Sequence, residues 1–236
     1  MTRARAAAEA TKTAAAALAP EPAPAPGPAH GPVIAPAADP GTGTYPATGA
    51  YPVTGADDLD LAVRLLAATP THEGRDPALL RRWAEAADAF GAALEPGPCH
   101  ARIVERDDGL DELLLARYTS RPATVEICTD TVDRAEQLID ELGWRSWYPV
   151  GSVRAAALAH ETAHEHFHHK RTRTALKEAI GHTALRLGRF RVLAHVAGAE
   201  EIAAHAYARA VCGLGRSPLL LTAALAAAVG APGREN

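Results

Sequence analysis

Two histidines four residues apart, with a glutamate directly after the first, make the most chemically pointed stretch of this chain: His160-Glu161-Thr162-Ala163-His164. On a helix, residues at this spacing share one face and lie about 6 Å apart along the axis. Their imidazoles can then converge on one metal ion. Glu161 leans to the same side and can reach a water on that ion rather than the ion itself. A zinc ion lowers the pKa of such a water to about 7, and a neighbouring carboxylate can take its proton. The surrounding residues, with Leu158-Ala159 leading in, have helical composition.

A catalytic zinc needs a third protein ligand. His168 is near in sequence, but it lies about 12 Å along the axis from His160 on a straight helix. Three such residues cannot all reach an ion at about 2 Å. A histidine six residues after His164, following a glycine three residues after it, would also serve, but those positions hold Lys170 and Phe167. A later helix is the better source. Glu200 and Glu201 open one whose alanines permit close approach. Glu201 is the first choice, with Glu200 the adjacent alternative and Glu178 a more distant one. Two glutamates in a first helical turn also favour the macrodipole without any metal.

Several elements must position these residues. Leu59, Leu61, Ala62, Leu65 and Leu66 have helical spacing. Asp76-Pro77 reads as the start of a second helix running to Leu94. Three β-like runs follow, at Ala101–Glu105, Leu113–Thr119 and Thr124–Thr129, with Arg121-Pro122 between the last two. Asp130 or Thr131 caps a helix that Gly143 stops. Helices are expected over Val153–His169, Thr174–Leu187, Ala199–Val211 and Leu219–Val229. Helices, a small sheet, then helices make an α+β arrangement.

The chain has 236 residues and a formal charge of −4. A near-neutral balance offers no basic face for nucleic acid, and none is expected as a partner. Residues 1–56 are Ala, Pro, Gly and Thr with few large aliphatics. They are expected to remain a disordered tail and linker, leaving residues 57–236 as the folded domain. The three cysteines, Cys99, Cys128 and Cys212, form no pair at metal or disulfide spacing. They are expected to be buried thiols in a cytoplasmic protein. No apolar run reaches the roughly 20 residues needed to span a bilayer.

Two motifs resemble the ImmA/IrrE family of metallopeptidases and the related peptidase-like domain of ArdC-type antirestriction proteins. The first is Leu158-Ala159-His160-Glu161-Thr162-Ala163-His164, followed by Phe167-His168; the second is Glu201-x-x-Ala204-His205-x-Tyr207-Ala208. The resemblance implies a zincin-like fold, with a small β-sheet packed beside the active helix and a C-terminal helical bundle. An edge strand would hold an extended substrate, with Leu113–Thr119 or Thr124–Thr129 in that place. It also implies Zn²⁺ held by His160, His164 and Glu201, selecting Glu201 over Glu200. Glu161 becomes general base and then general acid. The implied substrate is a protein or peptide, with a transcriptional regulator as a candidate.

Thr162 and Ala163 depart from the family's usual Leu and Gly, and His205 replaces an Asn or acid expected to orient a ligand. Tyr207 is placed either beside the oxyanion or in the core. His166 and His169 are expected in solvent. Two other readings stand beside the enzyme: a non-catalytic, zinc-stabilised regulatory module that binds protein, and a metal-free helical interaction protein.

Overall fold

Asp57 and Asp76 begin the fold by capping helices. Asp57 Oδ1 accepts from the Asp60 N–H at the start of α1 (Asp58–Ala68). Asp76 Oδ1 accepts from the Ala78 N–H at the start of α2 (Pro77–Ala92), whose Pro77 occupies a position with no hydrogen bond to lose. The computed structural model describes residues 55–230. The expected disordered tail falls almost wholly outside the described residues.

The chain then enters a three-stranded sheet made of β1 (Arg102–Arg106), β2 (Ala116–Ser120) and β3 (Ala123–Cys128). The strand order is β1-β3-β2, with β1 parallel and β2 antiparallel to β3. β3 is therefore the central strand, and of the two runs offered for the edge, Thr124–Thr129 is ruled out. The second run is also shorter than expected. Leu110–Glu112 forms a 3-10 turn and Leu113 sits at φ 53°, so extended backbone begins only at Ala116.

The next helix, α3 (Thr129–Glu141), starts directly from β3. Asp130 does not cap it. Its carboxylate accepts from the N–H groups of Gly109 and Leu110, tying the preceding loop down instead. The aromatic segment after α3 packs inward: Trp144 and Tyr148 are buried, and the Tyr148 hydroxyl donates to the Ser217 carbonyl at 2.7 Å. Arg145 joins Glu136 and Asp140, and Glu136 also accepts from the Val153 N–H. That places a carboxylate at the N-terminus of α4 (Ser152–Phe167), where the helix dipole favours it.

α5 (Lys170–Ile180) ends at Gly181, whose φ of 66° cannot continue a helix. The expected helix to Leu187 is therefore wrong in its second half. Thr183–Leu187 (β4) and Phe190–Leu193 (β5) form an antiparallel hairpin instead. The alternation Leu185-Arg186-Leu187 and Phe190-Arg191-Val192 has the strand period of two, which overrides helix propensity. α6 (Ala199–Val211) and α7 (Pro218–Gly230) complete an α+β fold.

Small residues let the helices approach closely around α6. An added Cβ at Gly91 on α2 would lie 2.0 Å from the Ala203 carbonyl oxygen, so α2 and α6 touch backbone to backbone. α4 buries Ala155, Ala156, Ala157, Ala159 and Ala163. α6 buries Ala199, Ala203, Ala204, Ala206 and Ala208. With so little side-chain bulk, the polar residues of α4 and α6 are brought to the same point. Among the described residues, no helix is long and apolar enough to cross a membrane.

Candidate metal centre

α4 and α6 each contribute a pair of residues one helical turn apart. His160 and His164 project from α4, and Glu201 and His205 from α6. His160 Nε2 lies 2.9 Å from His164 Nε2 and 3.0 Å from Glu201 Oε1. His164 Nε2 is 3.3 Å from Glu201 Oε2, and His205 Nε2 is 3.3 Å from Glu201 Oε1. The His160 and His205 rings meet edge to face at 4.4 Å. His160, Glu201 and His205 are buried, while His164 is partly exposed. The group therefore has one wetter side.

His160, Glu201 and His205 form a buried group that could hold a metal ion, their ligand atoms lying within 4.8 Å of one another. Two features favour that use over a purely hydrogen-bonded cluster. Glu201 Oε1 lies 3.0 Å from His160 Nε2 and 3.3 Å from His205 Nε2 without an aligned hydrogen bond to either, and both it and His205 Nε2 are buried. Buried polar groups are ordinarily satisfied, so such an accumulation calls for a ligand. The His160–His164 nitrogen separation is also within a few tenths of the about 3.3 Å that two nitrogens take on a tetrahedral zinc. The donor set of imidazoles and one carboxylate suits zinc and other divalent transition ions.

Electrostatics divide the histidines. Burial drives the His160 pKa down to about 3 against the pull of Glu201, leaving a neutral imidazole. Burial opposes protonation of His164 too, but its hydrogen bond to Glu201 and that group's charge prevail and raise it to about 9. Glu201, despite its own burial, is held ionised well below the usual carboxylate range by His160, His164 and His205.

Glu161 is fully buried beside this group. Its Oε2 accepts from the Tyr118 N–H of β2 at 2.8 Å, and its Oε1 has no partner. Burial raises its pKa to about 7, with His164 and the Tyr118 N–H pulling the other way and Glu201 reinforcing the rise. A carboxyl group poised there can both take and return a proton near neutral pH.

Glu200 turns away to His195, at 4.0 Å on a more exposed part of the surface, and is not in the cluster. The Tyr207 hydroxyl accepts from the Gly97 N–H at 3.2 Å, and its ring faces His166 at 6.0 Å. Tyr207 is therefore a packing residue on another face of α6, and the oxyanion placement is not supported. His166 is half-buried between Gly97 and Tyr207 rather than solvated, with its pKa lowered by burial. His168 is exposed and rests on the Tyr118 ring at 5.1 Å. Of the cysteines only Cys128 is buried; Cys99 and Cys212 are partly exposed.

His205 stands inside the buried group that could hold an ion, nearer than the orienting role expected of it. The signal was the four-residue step from Glu201, the same step that separates His160 from His164. Comparison with family models, with curated proteins and with solved structures yields no match.

Proposed function

We propose that this chain is a zinc-dependent metallopeptidase that hydrolyses a peptide bond in a protein substrate. The observation that carries this reading is the meeting of His160 and His164 from α4 with Glu201 from α6, beside a buried Glu161 whose pKa is raised to about 7. His160, His164 and Glu201 are the three ligands, in a zincin-like arrangement with the sheet beside α4. Bound there, zinc supplies a Lewis acid for the scissile carbonyl and makes water a nucleophile near neutral pH.

Glu161 acts as general base and then general acid, receiving a proton on Oε1 and returning it to the leaving amine. β2 is the edge strand next to α4, and Tyr118 directs its N–H outward from β3 toward Glu161. An extended substrate segment would lie along this edge, its backbone pairing with β2. A transcriptional regulator is a candidate substrate class. The test is Glu161→Gln in the zinc-loaded chain, assayed against an unfolded protein substrate. Retained metal with about a hundredfold or greater loss of hydrolysis is expected; full activity would refute the mechanism.

One observation favours a second reading. His205 brings a fourth donor within reach of the same ion. Four protein ligands close a zinc site, which is the hallmark of a structural rather than a catalytic metal. In that case the protein is a zinc-stabilised binding module, and Glu161→Gln leaves its cellular role intact.

A further inference from the structure

The β4–β5 hairpin projects with both faces and both edges open. Every residue from Ala184 to Val192 is exposed. Its cross-strand pairs sort the side chains cleanly. Leu185 faces Val192 and Leu187 faces Phe190 on one side; Arg186 faces Arg191 on the other. The four apolar side chains are 50–64% exposed. Gly188, at φ 59°, opens the two-residue turn, and Arg189 there lies over the Phe190 ring. No acidic residue occurs between His182 and Ala199. Among the described residues, neither Arg186 nor Arg191 has an ionic partner.

Each of these features is unfavourable in isolation. A two-stranded sheet is marginal without a packed face. Like charges directly across a sheet repel. An open edge leaves a row of unpaired N–H and C=O groups. One kind of occupant relieves all three. We infer that the hairpin is a docking site for an extended segment of a protein partner in which apolar and acidic residues alternate. Added as a third strand, such a segment pairs with a free edge. Its apolar residues extend the Leu185–Leu187–Phe190–Val192 face, and its carboxylates meet Arg186 and Arg191.

Other occupants fit less well. Bilayer hydrocarbon cannot satisfy open strand edges. A second copy paired edge to edge would double the arginine face and gather like charges. The chain's own residues 1–54 carry acids only at Glu9, Glu21 and Asp39, too widely spaced for alternation. The inference does not depend on whether the metal centre is catalytic.

The test uses the full chain and a fluorescein-labelled eight-residue peptide of alternating valine and glutamate, read by anisotropy. The comparators are the same residues in two blocks and a peptide with lysine for glutamate. The alternating glutamate peptide is expected to bind best. The Arg186→Glu/Arg191→Glu variant should lose at least tenfold in affinity for it and gain the lysine peptide. Leu187→Ser/Phe190→Ser should weaken both. Circular dichroism and metal content, unchanged in these surface variants, show that the fold persists. The inference is overturned if the native chain binds no peptide or fails to discriminate among the three. It is equally overturned if the charge-swapped chain keeps its preference for glutamate. Binding to phosphatidylserine vesicles without peptide binding, or hairpin-dependent dimers in sedimentation, would assign the surface to a membrane or to a second copy instead.

Discussion

The backbone N–H of Tyr118 donates to Glu161 Oε2 at 2.8 Å, so the carboxylate at the centre of the proposed chemistry is tied to the open edge of the sheet. Only one of its two oxygens is satisfied this way. The other is buried without a partner, and this is why the group resists ionisation.

That cost has a measurable sign. The Glu161 pKa is raised from 4.5 to about 7 in the folded chain. Its ionisation therefore subtracts stability: the relative benefit of the protonated form is whole below about 4.5 and is lost as pH rises through about 7. In the metal-free protein, Glu161→Gln should raise stability at about pH 8, by on the order of 1–3 kcal/mol, and by little at about pH 5. Thermal unfolding at the two pH values checks this. Equal effects at both would show that the buried charge is not the cause.

Metal affinity should rise with pH. His160 is already neutral and Glu201 already ionised, so His164, raised to about 9, holds the one proton that an incoming ion must displace. Affinity is then expected to grow about tenfold per pH unit from about pH 7 to about 9 and to level off above. Without metal, the His164–Glu201 pair stabilises the fold fully below the unfolded histidine value of 6.5, and this stability is lost as pH rises through about 9. Titration of zinc into the apo protein, with proton release followed in two buffers, measures the slope. A pH-independent affinity would show that no proton leaves His164.

His205 separates the catalytic reading from the structural one. If it only supports the three ligands, His205→Asn should keep one zinc per chain with affinity reduced about 10–100-fold. If it is a fourth ligand, the cobalt-substituted native protein should show a closed tetrahedral spectrum that His205→Asn opens. Metal analysis and the visible spectrum together decide between these outcomes.

The helices that carry the centre were readable from the sequence because their signals are local. His160 and His164 repeat at one turn on α4, Glu201 and His205 do so on α6, and Asp76-Pro77 marks the start of the α2 helix that braces them. The α6 glutamate could be narrowed to two neighbours but not chosen by spacing alone. Glu200 and Glu201 point about 100° apart on a helix, and only the packing of α6 on α4 turns Glu201 inward and leaves Glu200 with His195. The hairpin is harder to read because α5 leads toward it without a proline, so the helix end rests on Gly181 alone, and the period-two alternation of Leu185 and Leu187 spans only a few residues. Tyr207 was ambiguous because its partner, the Gly97 N–H, is distant in sequence and offers no side-chain signal.

The last prediction concerns the frame rather than the chemistry. α6 holds Glu201 and His205, and its position is fixed where Gly91 lets α2 touch the Ala203 carbonyl. A methyl group at Gly91 would sit 2.0 Å from that oxygen, and neither backbone can rotate away as a side chain could. Overpacking in well-packed cores costs about 1–3 kcal/mol, sometimes more, and a backbone-to-backbone clash belongs at the upper end. Helix propensity runs the other way, since alanine is favoured over glycine by about 1 kcal/mol. Gly91→Ala is therefore expected to destabilise by about 2 kcal/mol or more. Because α6 must shift to make room, zinc affinity should fall in the same variant, whereas Gly143→Ala, which meets open space beyond α3 and costs stability only through its φ of 69°, should leave zinc affinity unchanged. Chemical denaturation and zinc titration of both variants test the link. A Gly91→Ala protein with native stability and native affinity would show that the contact between α2 and α6 does not set the metal centre.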